Sequence, residues 1–168
     1  ALMFLFVGFG WAKPVPVNPA YFRTPKRDMA LTALAGPVSN LILAFVCFIL
    51  LGFFEIAQNH SAMSRFPTTV SGSAVSVIAI RFLGAMIFLN LALMAFNLLP
   101  IAPLDGSKIL QRFIPLRYEY EYEMIMQRGP YILFTVLILE SFTHISILSF
   151  WVHGISDAVF GLFQLLPL

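Results

Sequence analysis

Long apolar runs, rather than alternating apolar and polar positions, dominate the chain. Three of them, at about residues 30–54, 77–99 and 131–151, are long enough to cross a membrane, because a helix needs about 20 apolar residues to span the hydrocarbon core. Each run must be helical, since an isolated strand in lipid leaves its backbone polar groups unpaired. The pattern predicts an all-α, polytopic transmembrane helix bundle with three complete spans, in a single membrane-embedded domain over residues 1–168.

The two ends of the chain are also apolar. Residues 1–9 carry no starting methionine and no basic leader, so they differ from a signal peptide, which needs a positive segment before its apolar stretch. They are expected to be the tail of a fourth helix that begins upstream, in which case the chain is incomplete. Residues 155–168 are apolar but short for a span. They are expected to form a short membrane-associated helix, in the interface or packed back on the bundle.

Composition supports this membrane assignment. Hydrophobic residues make up 60% of the 168 positions, charged residues 11%, and the mean hydropathy is +0.88. Soluble domains are about 45–50% apolar and about 25% charged, so a soluble fold of this size is excluded. The net charge of +2, without a dense basic tract, gives no support for a nucleic-acid partner.

The basic residues predict the orientation of the spans. They cluster before the first span and after the second, at Lys13, Arg23, Lys26, Arg27, Lys108, Arg112, Arg117 and Arg128. Two crossings separate the clusters, so both lie on one side, and an excess of Lys and Arg marks the cytoplasmic side. Residues 10–29 and 106–128 are therefore predicted to be cytoplasmic, with the plasma membrane as the expected location.

The most informative polar residues end the second span, where residues 97–106 read NLLPIAPLDG. Pro100 and Pro103 break the helix, and irregular backbone at membrane depth is tolerated only where protein covers it or it lines a watery cavity. An acid such as Asp105 is costly there unless it is paired or coordinates a metal. The residues alone leave two interpretations open: Asp105 is functional, or it caps a helix that begins at Gly106.

Two further stretches carry unusual residues. Residues 36–40 read GPVSN; Gly36 and Ser39 allow a close helix contact, and Asn40 can hydrogen-bond across it. Helix packing is the favoured interpretation of that stretch. Residues 10–19 read GWAKPVPVNP, where three prolines in six residues forbid a helix and favour an extended segment or a tight loop. Trp11 at its start is a natural interface anchor.

Together the three stretches resemble the site-2 protease family of intramembrane zinc metalloproteases, in order and spacing over most of residues 8–112. The signature Asn-x-x-Pro-x-x-Pro-Leu-Asp-Gly is specific, whereas Gly-Pro-x-x-Asn alone is weak. No inserted segment looks like a PDZ domain, so the resemblance is to the compact branch of the family.

The resemblance implies a zinc metalloendopeptidase whose Zn²⁺ lies in the bilayer near its cytoplasmic face. Its other ligands come from a His-Glu-x-x-His helix, Asp105 is implied as the third protein ligand, and Asn97 would hold or polarise the substrate carbonyl. The implied reaction is attack of metal-activated water on a peptide bond in a transmembrane segment of a protein substrate. Residues implied to position substrate or pack helices are Trp11, Pro14, Pro16, Asn18, Pro19, Gly36, Pro37, Asn40, Pro100, Pro103 and Gly106.

The chain departs from the family in lacking His-Glu-x-x-His. Its histidines are His60, His144 and His153, and the last two, nine residues apart, would lie about 180° apart around a helix. All three are interpreted as interface or loop histidines. A catalytic zinc site needs three protein ligands plus water, so these 168 residues alone are expected neither to bind zinc tightly nor to cleave.

Two alternatives to a protease stay open. One is a pseudoprotease-like protein that binds transmembrane helices without cutting them. The other is a small transporter subunit, which also uses broken helices and midplane polar groups. Its second acid would be Glu140, although that side chain is equally interpretable as hydrogen-bonded to a neighbouring helix through Asn90. Asn90 and Asn97 are seven residues apart and share one face of a helix.

Overall fold

Helices form all the regular structure in residues 21–57, 74–143 and 146–166, the part of the chain described by a computed structural model. A 3-10 turn, Leu116–Tyr118, lies between the third and fourth of them. The absence of strands from these residues confirms the all-α prediction. The helices are α1 (Pro25–Ala57), α2 (Ala74–Asn97), α3 (Asp105–Gln111), α4 (Glu119–Thr143) and α5 (Ile147–Gln164).

Three helices in the described ranges have the length and composition needed to cross a membrane. They are Pro25–Phe53 of α1, Val75–Asn97 of α2 and the whole of α5. The count agrees with the sequence prediction, and the first two spans lie where the apolar pattern put them. The protein is therefore a polytopic membrane protein.

The third span lies elsewhere, and the predicted span at residues 131–151 is wrong. The apolar run is divided between α4, which ends at Thr143, and α5, which begins at Ile147. The carboxylate of Glu140 accepts a hydrogen bond from the backbone N–H of Ser149, 3.3 Å away. That N–H belongs to the first turn of α5, where backbone donors have no partner inside the helix. Hydropathy could not reveal this division because both helices are apolar beside it.

Helix α5 also contains most of the apolar C-terminal segment, residues 155–168, which was predicted to be short for a span. It packs on α2 through Trp151, whose indole N–H donates to the Ala95 carbonyl at 3.0 Å. It packs on α1 through Phe163, which is buried in the core. The segment thus packs back on the bundle, one of the two predicted outcomes.

The core lies where α1, α2 and α5 meet. It consists of Ala44, Cys47, Phe48, Leu83, Ile87, Leu91, Met94 and Phe163. The Phe163 ring lies 5.2 Å from that of Phe45 and 5.4 Å from that of Phe48, measured between centroids. Large apolar side chains elsewhere face outward, such as Phe150 at 82% exposure. Lipid is the solvent that this outer surface requires, because a soluble protein rarely exposes so large an apolar area.

Helix α4 lies near one end of the α1–α2 pair. Its first residue, Glu119, pairs with Lys26 at the start of α1, with 2.8 Å between Oε2 and Nζ. Its other end contacts Ser149 at the start of α5, close to where Trp151 contacts the last part of α2. Both ends of α4 are therefore at the end of the bundle where α2 finishes and α3 begins.

Candidate functional site

The connection between α2 and α3 is a folded loop. Helix α2 ends at Asn97, and three backbone hydrogen bonds of 3.0–3.1 Å then turn the chain, the last from Leu104 N–H to the Ile101 carbonyl. Pro100 and Pro103 are exposed on this loop, and the Ala102–Pro103 peptide bond is cis. The helix break that the prolines predict is present, and it carries Asp105 to the first position of α3.

Gly106 closes this loop. A Cβ atom at Gly106 would collide with the backbone carbonyl oxygens of Leu98 and Leu99. Only glycine allows so close an approach of two backbone segments. The residue after Asn97 and the residue after Asp105 are thereby held in contact, so the two ends of the signature lie together.

The carboxylate of Asp105 faces helix α1. A Cβ atom built on Gly36 would lie 3.1 Å from Asp105 Oδ2. Asp105 does not cap a helix: α3 begins at Asp105 itself, the cap position is Leu104, and no side chain bonds to the cap. The capping interpretation is therefore wrong. Gly36 is the position on α1 whose lack of a side chain lets the acid approach.

Burial and a nearby cation act in opposite directions on this acid. Its side chain is 30% exposed, and Lys108 Nζ lies 3.8 Å from Oδ1. Burial raises the pKa of the Asp105 carboxyl, and the Lys108 charge lowers it, with burial the larger influence. An additional cation beside this carboxylate would stabilise it, because an opposite charge favours the ionised form.

The GPVSN stretch lies in the first half of α1. Pro37 is buried inside the helix, and the Ser39 hydroxyl donates to the Gly36 carbonyl at 2.7 Å. Asn40 is half-buried and lies one helical turn after Gly36, so both are on the face of α1 that meets α3. The helix-packing interpretation of this stretch describes the geometry, with Asp105 as the group that packs there.

Helix α4 contacts the loop at residues that the sequence reasoning missed. The Tyr122 hydroxyl donates to the Ser107 carbonyl at 2.6 Å. A Cβ atom at Gly129 would lie 2.5 Å from Ala102 Cβ and 2.6 Å from its carbonyl oxygen. Tyr122 and Gly129 are seven residues apart, two turns along one helix face. That spacing was the available signal, and the alternation of tyrosine and glutamate around Tyr122 obscured it.

Burial raises the pKa of the Tyr122 phenol above its ordinary value. The phenol is protonated at neutral pH in any case and acts as a donor. Tyr118 and Tyr120 nearby are exposed, Tyr120 to 72%. Tyr122 differs from these two tyrosines because its hydroxyl is directed to α3.

The expected partner of Glu140 is also corrected. Asn90 is buried and donates to the Met86 carbonyl of its own helix at 2.7 Å, while Glu140 bonds to Ser149 as described above. A link between Glu140 and Asn90 is therefore not formed. His153 Nδ1 lies 2.7 Å from the Ser149 carbonyl, so this ring is engaged within α5.

The remaining sequence candidates lie outside the described residues. They are Trp11, Pro14, Pro16, Asn18 and Pro19 of the proline-rich stretch, together with His60 and His144.

Comparison with known proteins identifies the family. Residues 10–139 match the profile of Peptidase family M50. The chain belongs to peptidase family M50. The match covers α1 to most of α4, and with it the Gly36, Asn97 and Asp105 positions, so the resemblance to site-2 proteases is confirmed.

Relatives of this M50 chain carry metalloprotease names. YwhC from Bacillus subtilis, provisionally named a zinc metalloprotease, is 41% identical over 114 residues, 68% of this chain and 48% of that protein. MJ0611 from Methanocaldococcus jannaschii, also provisionally named so, is 38% identical over 91 residues, 54% of this chain and 37% of that protein. The zinc metalloprotease MJ0392 of the same organism is 29% identical over 98 residues, 58% of this chain and 23% of that protein.

The M50 chain spans about half the length of YwhC and smaller shares of the other two proteins. No solved structure shows significant similarity to it.

The described residues of this M50 chain can provide one ligand of a zinc site. A carboxylate oxygen is an ordinary zinc ligand, and the Asp105 carboxylate is partly exposed and not used in a helix cap. Within the described ranges, no group of three His, Cys, Asp or Glu side chains is placed to hold a metal ion. Asp105 can thus supply one carboxylate ligand.

Proposed function

We propose that this chain is part of an intramembrane zinc metalloendopeptidase of the site-2 type, with Asp105 as its third protein ligand. The observation that carries the proposal is the position of the Asp105 carboxylate. It projects from the first residue of α3, just after the break that ends α2, onto Gly36 of a neighbouring span, and it is partly exposed with Lys108 as a weak partner. An acid placed this way in a membrane protein is a default hypothesis for a functional site.

Three of the described residues, Asp105, Gly36 and Asn97, have a part in the proposed reaction. When bound, Zn²⁺ supplies a Lewis acid and lowers the pKa of its water. Asp105 would hold the metal through a carboxylate oxygen, with Gly36 leaving room for that carboxylate. Asn97, whose neighbour Leu98 touches Gly106, would donate its amide N–H to the carbonyl of the peptide bond to be cut. The substrate is a transmembrane segment of another protein.

The orientation follows from the basic residues. Lys26 and Arg27 at the start of α1 and Lys108 and Arg112 in and after α3 are at the same end of the bundle as Asp105. Since Lys and Arg accumulate on the cytoplasmic side, we place the site at the cytoplasmic face, in the plasma membrane.

The protease accounts for the site better than a transporter does. The second acid that a transporter would use, Glu140, holds the first turn of α5 through Ser149. The 168 residues contain no His-Glu-x-x-His. We therefore expect the purified 168-residue chain to show no stoichiometric, chelator-sensitive zinc binding, and activity to need a polypeptide that supplies those ligands.

The test is to compare Asp105→Asn with Glu121→Gln in a polypeptide that carries an upstream His-Glu-x-x-His helix. Glu121 is an exposed acid near the same end of the bundle and serves as the matched control. Asp105→Asn should weaken zinc binding by more than the roughly 10–100-fold that losing an outer-shell partner costs, and cleavage of a membrane substrate should disappear. Wild-type cleavage by Asp105→Asn would reject the proposal, and upstream sequence without the histidines would favour a non-catalytic relative.

A further inference from the structure

We propose that α4, together with the packing of α3 on α1, positions the Asp105 carboxylate, and that Tyr122 is the positioning residue that α4 supplies. The positioning itself is a property of the described residues. Only its consequence for zinc rests on the proposed function.

The need for an external support follows from the length of α3. It has seven residues and no side-chain cap at its start, and isolated helices shorter than about 12–15 residues are marginal even in favourable sequences. Asp105 is its first residue, where a helix frays most readily. The direction of the carboxylate is therefore set by what packs on α3.

Tyr122 supplies that support directly. Its hydroxyl donates to the Ser107 carbonyl at 2.6 Å, two residues from Asp105. Ser107 is buried, and its own hydroxyl donates to the Leu104 carbonyl at 2.7 Å. The phenol thus holds the first turn of α3, and the serine links that turn back to the residue before Asp105.

Two more contacts fix α4 relative to both sides of the site. Gly129 packs on Ala102, in the loop that leads to Asp105. Glu119 pairs with Lys26 on α1, with 2.8 Å between the charged atoms. Because α1 also carries Gly36, α4 ties together the helix that receives the carboxylate and the loop that delivers it.

The arrangement makes a prediction that a general loss of stability does not. Removing the Tyr122 hydroxyl should change how often Asp105 faces Gly36, while α1, α2 and α5 stay packed through their own apolar core. The exposed Tyr120, two residues away on α4, is a matched control because Tyr120→Phe makes the same chemical change without a contact to α3.

The experiment measures how often position 105 comes close to position 36 in the 168-residue chain. The two positions are replaced by cysteine, Gly36→Cys and Asp105→Cys, in a Cys47→Ala background, and the rate of oxidative cross-linking is followed. Tyr122→Phe should slow cross-linking by about fivefold, the factor expected from one ordinary hydrogen bond, with Tyr120→Phe unchanged. Gly129→Ala should slow it as well. Gly154→Ala, where a Cβ atom meets nothing within 4 Å, should leave it unchanged. Equal rates for Tyr122→Phe and Tyr120→Phe would overturn the proposal.

A second readout separates this inference from the proposed function. In a polypeptide with the complete ligand set, Tyr122→Phe should weaken zinc binding by about 10-fold or more, as loss of a supporting residue does, at an unfolding temperature equal to that of Tyr120→Phe. If Asp105→Ala leaves zinc affinity unchanged, the proposed function fails while the cross-linking result still stands. If Asp105→Ala abolishes binding and Tyr122→Phe changes neither cross-linking nor affinity, the positioning role alone is wrong.

Discussion

Two regions of this protein meet on α1, and they are held in different ways. Along its middle, α1 packs on α2 and α5 through apolar side chains such as Phe48, Ile87 and Phe163. Nearer its start, α1 meets Asp105 through Gly36. Helix α4 holds the loop before Asp105 through Gly129, and the first turn of α3 through Tyr122. Many similar apolar contacts hold the core, whereas the loop depends on a few individual contacts, each between two particular residues.

The difference shows why the two regions should respond differently to mutation. In the core, neighbouring apolar groups relax partly into a space left by a smaller side chain, so the cost depends on the volume lost. At the loop, two backbones touch at Gly106 and no neighbouring side chain can move to make room. We expect core mutations to reduce stability with the site intact, and loop mutations to disturb the site more than the fold.

The largest effect is expected for Phe48→Ala. This ring is buried and contacts both Phe160 and Phe163 of α5. Its removal should lower the free energy of unfolding by about 3–5 kcal/mol, the usual cost of such a cavity, measured by denaturation in detergent micelles. The cross-link between positions 36 and 105 should still form in the folded fraction. A cross-link that disappears with Phe48 would show that the two regions are not separable.

Gly106→Ala should come next. Its added methyl group meets the Leu98 and Leu99 carbonyls, and overpacking of this kind costs about 1–3 kcal/mol. The same substitution at Gly84, where a Cβ atom meets nothing within 4 Å, is the control and should be neutral or slightly stabilising. Gly106→Ala should also reduce the cross-linking yield sharply. An unchanged yield would show that the loop tolerates a side chain there.

Trp151→Phe tests the hydrogen bond between α5 and α2. The aromatic ring is kept while the indole donor to the Ala95 carbonyl is lost, so the expected loss is about 1 kcal/mol. Because this contact belongs to the bundle, zinc affinity in a complete polypeptide should not change. Tyr131→Phe, at an exposed position of α4, is a suitable control for the change of an aromatic polar group. A loss of zinc affinity in Trp151→Phe would link α5 to the site.

The smallest effect is expected for the Lys26–Glu119 pair. Both side chains are about one-third exposed, and such ion pairs contribute roughly 0–1 kcal/mol. Lys26→Gln and Glu119→Gln should each cost a few tenths of a kcal/mol, and a double-mutant cycle on the unfolding free energy measures their coupling. A coupling energy that vanishes at high salt would agree with a solvent-screened pair. A coupling energy well above 1 kcal/mol would show that this pair contributes much more to stability than a surface ion pair does.

The sequence was sufficient for the class of fold, for two of the spans and for the signature residues. Apolar length and the lipid's demand for internally paired backbone leave few alternatives to helices. The prolines at positions 100 and 103 required a break after Asn97, and the order of the motifs led to the correct family. These features are local, so a linear pattern contains them.

The tertiary structure decided what the pattern could not contain. It placed the third span in α5, since a break between two apolar helices has no hydropathy signal. It also showed that Asp105 is not a helix cap, because α3 begins at Asp105 and the carboxylate faces Gly36. It also placed Tyr122 against α3, Gly129 against the loop before it and Gly36 beside Asp105. Their roles arise from contacts between residues far apart in the chain, and spacing along one helix shows only which residues share a face, not what that face meets.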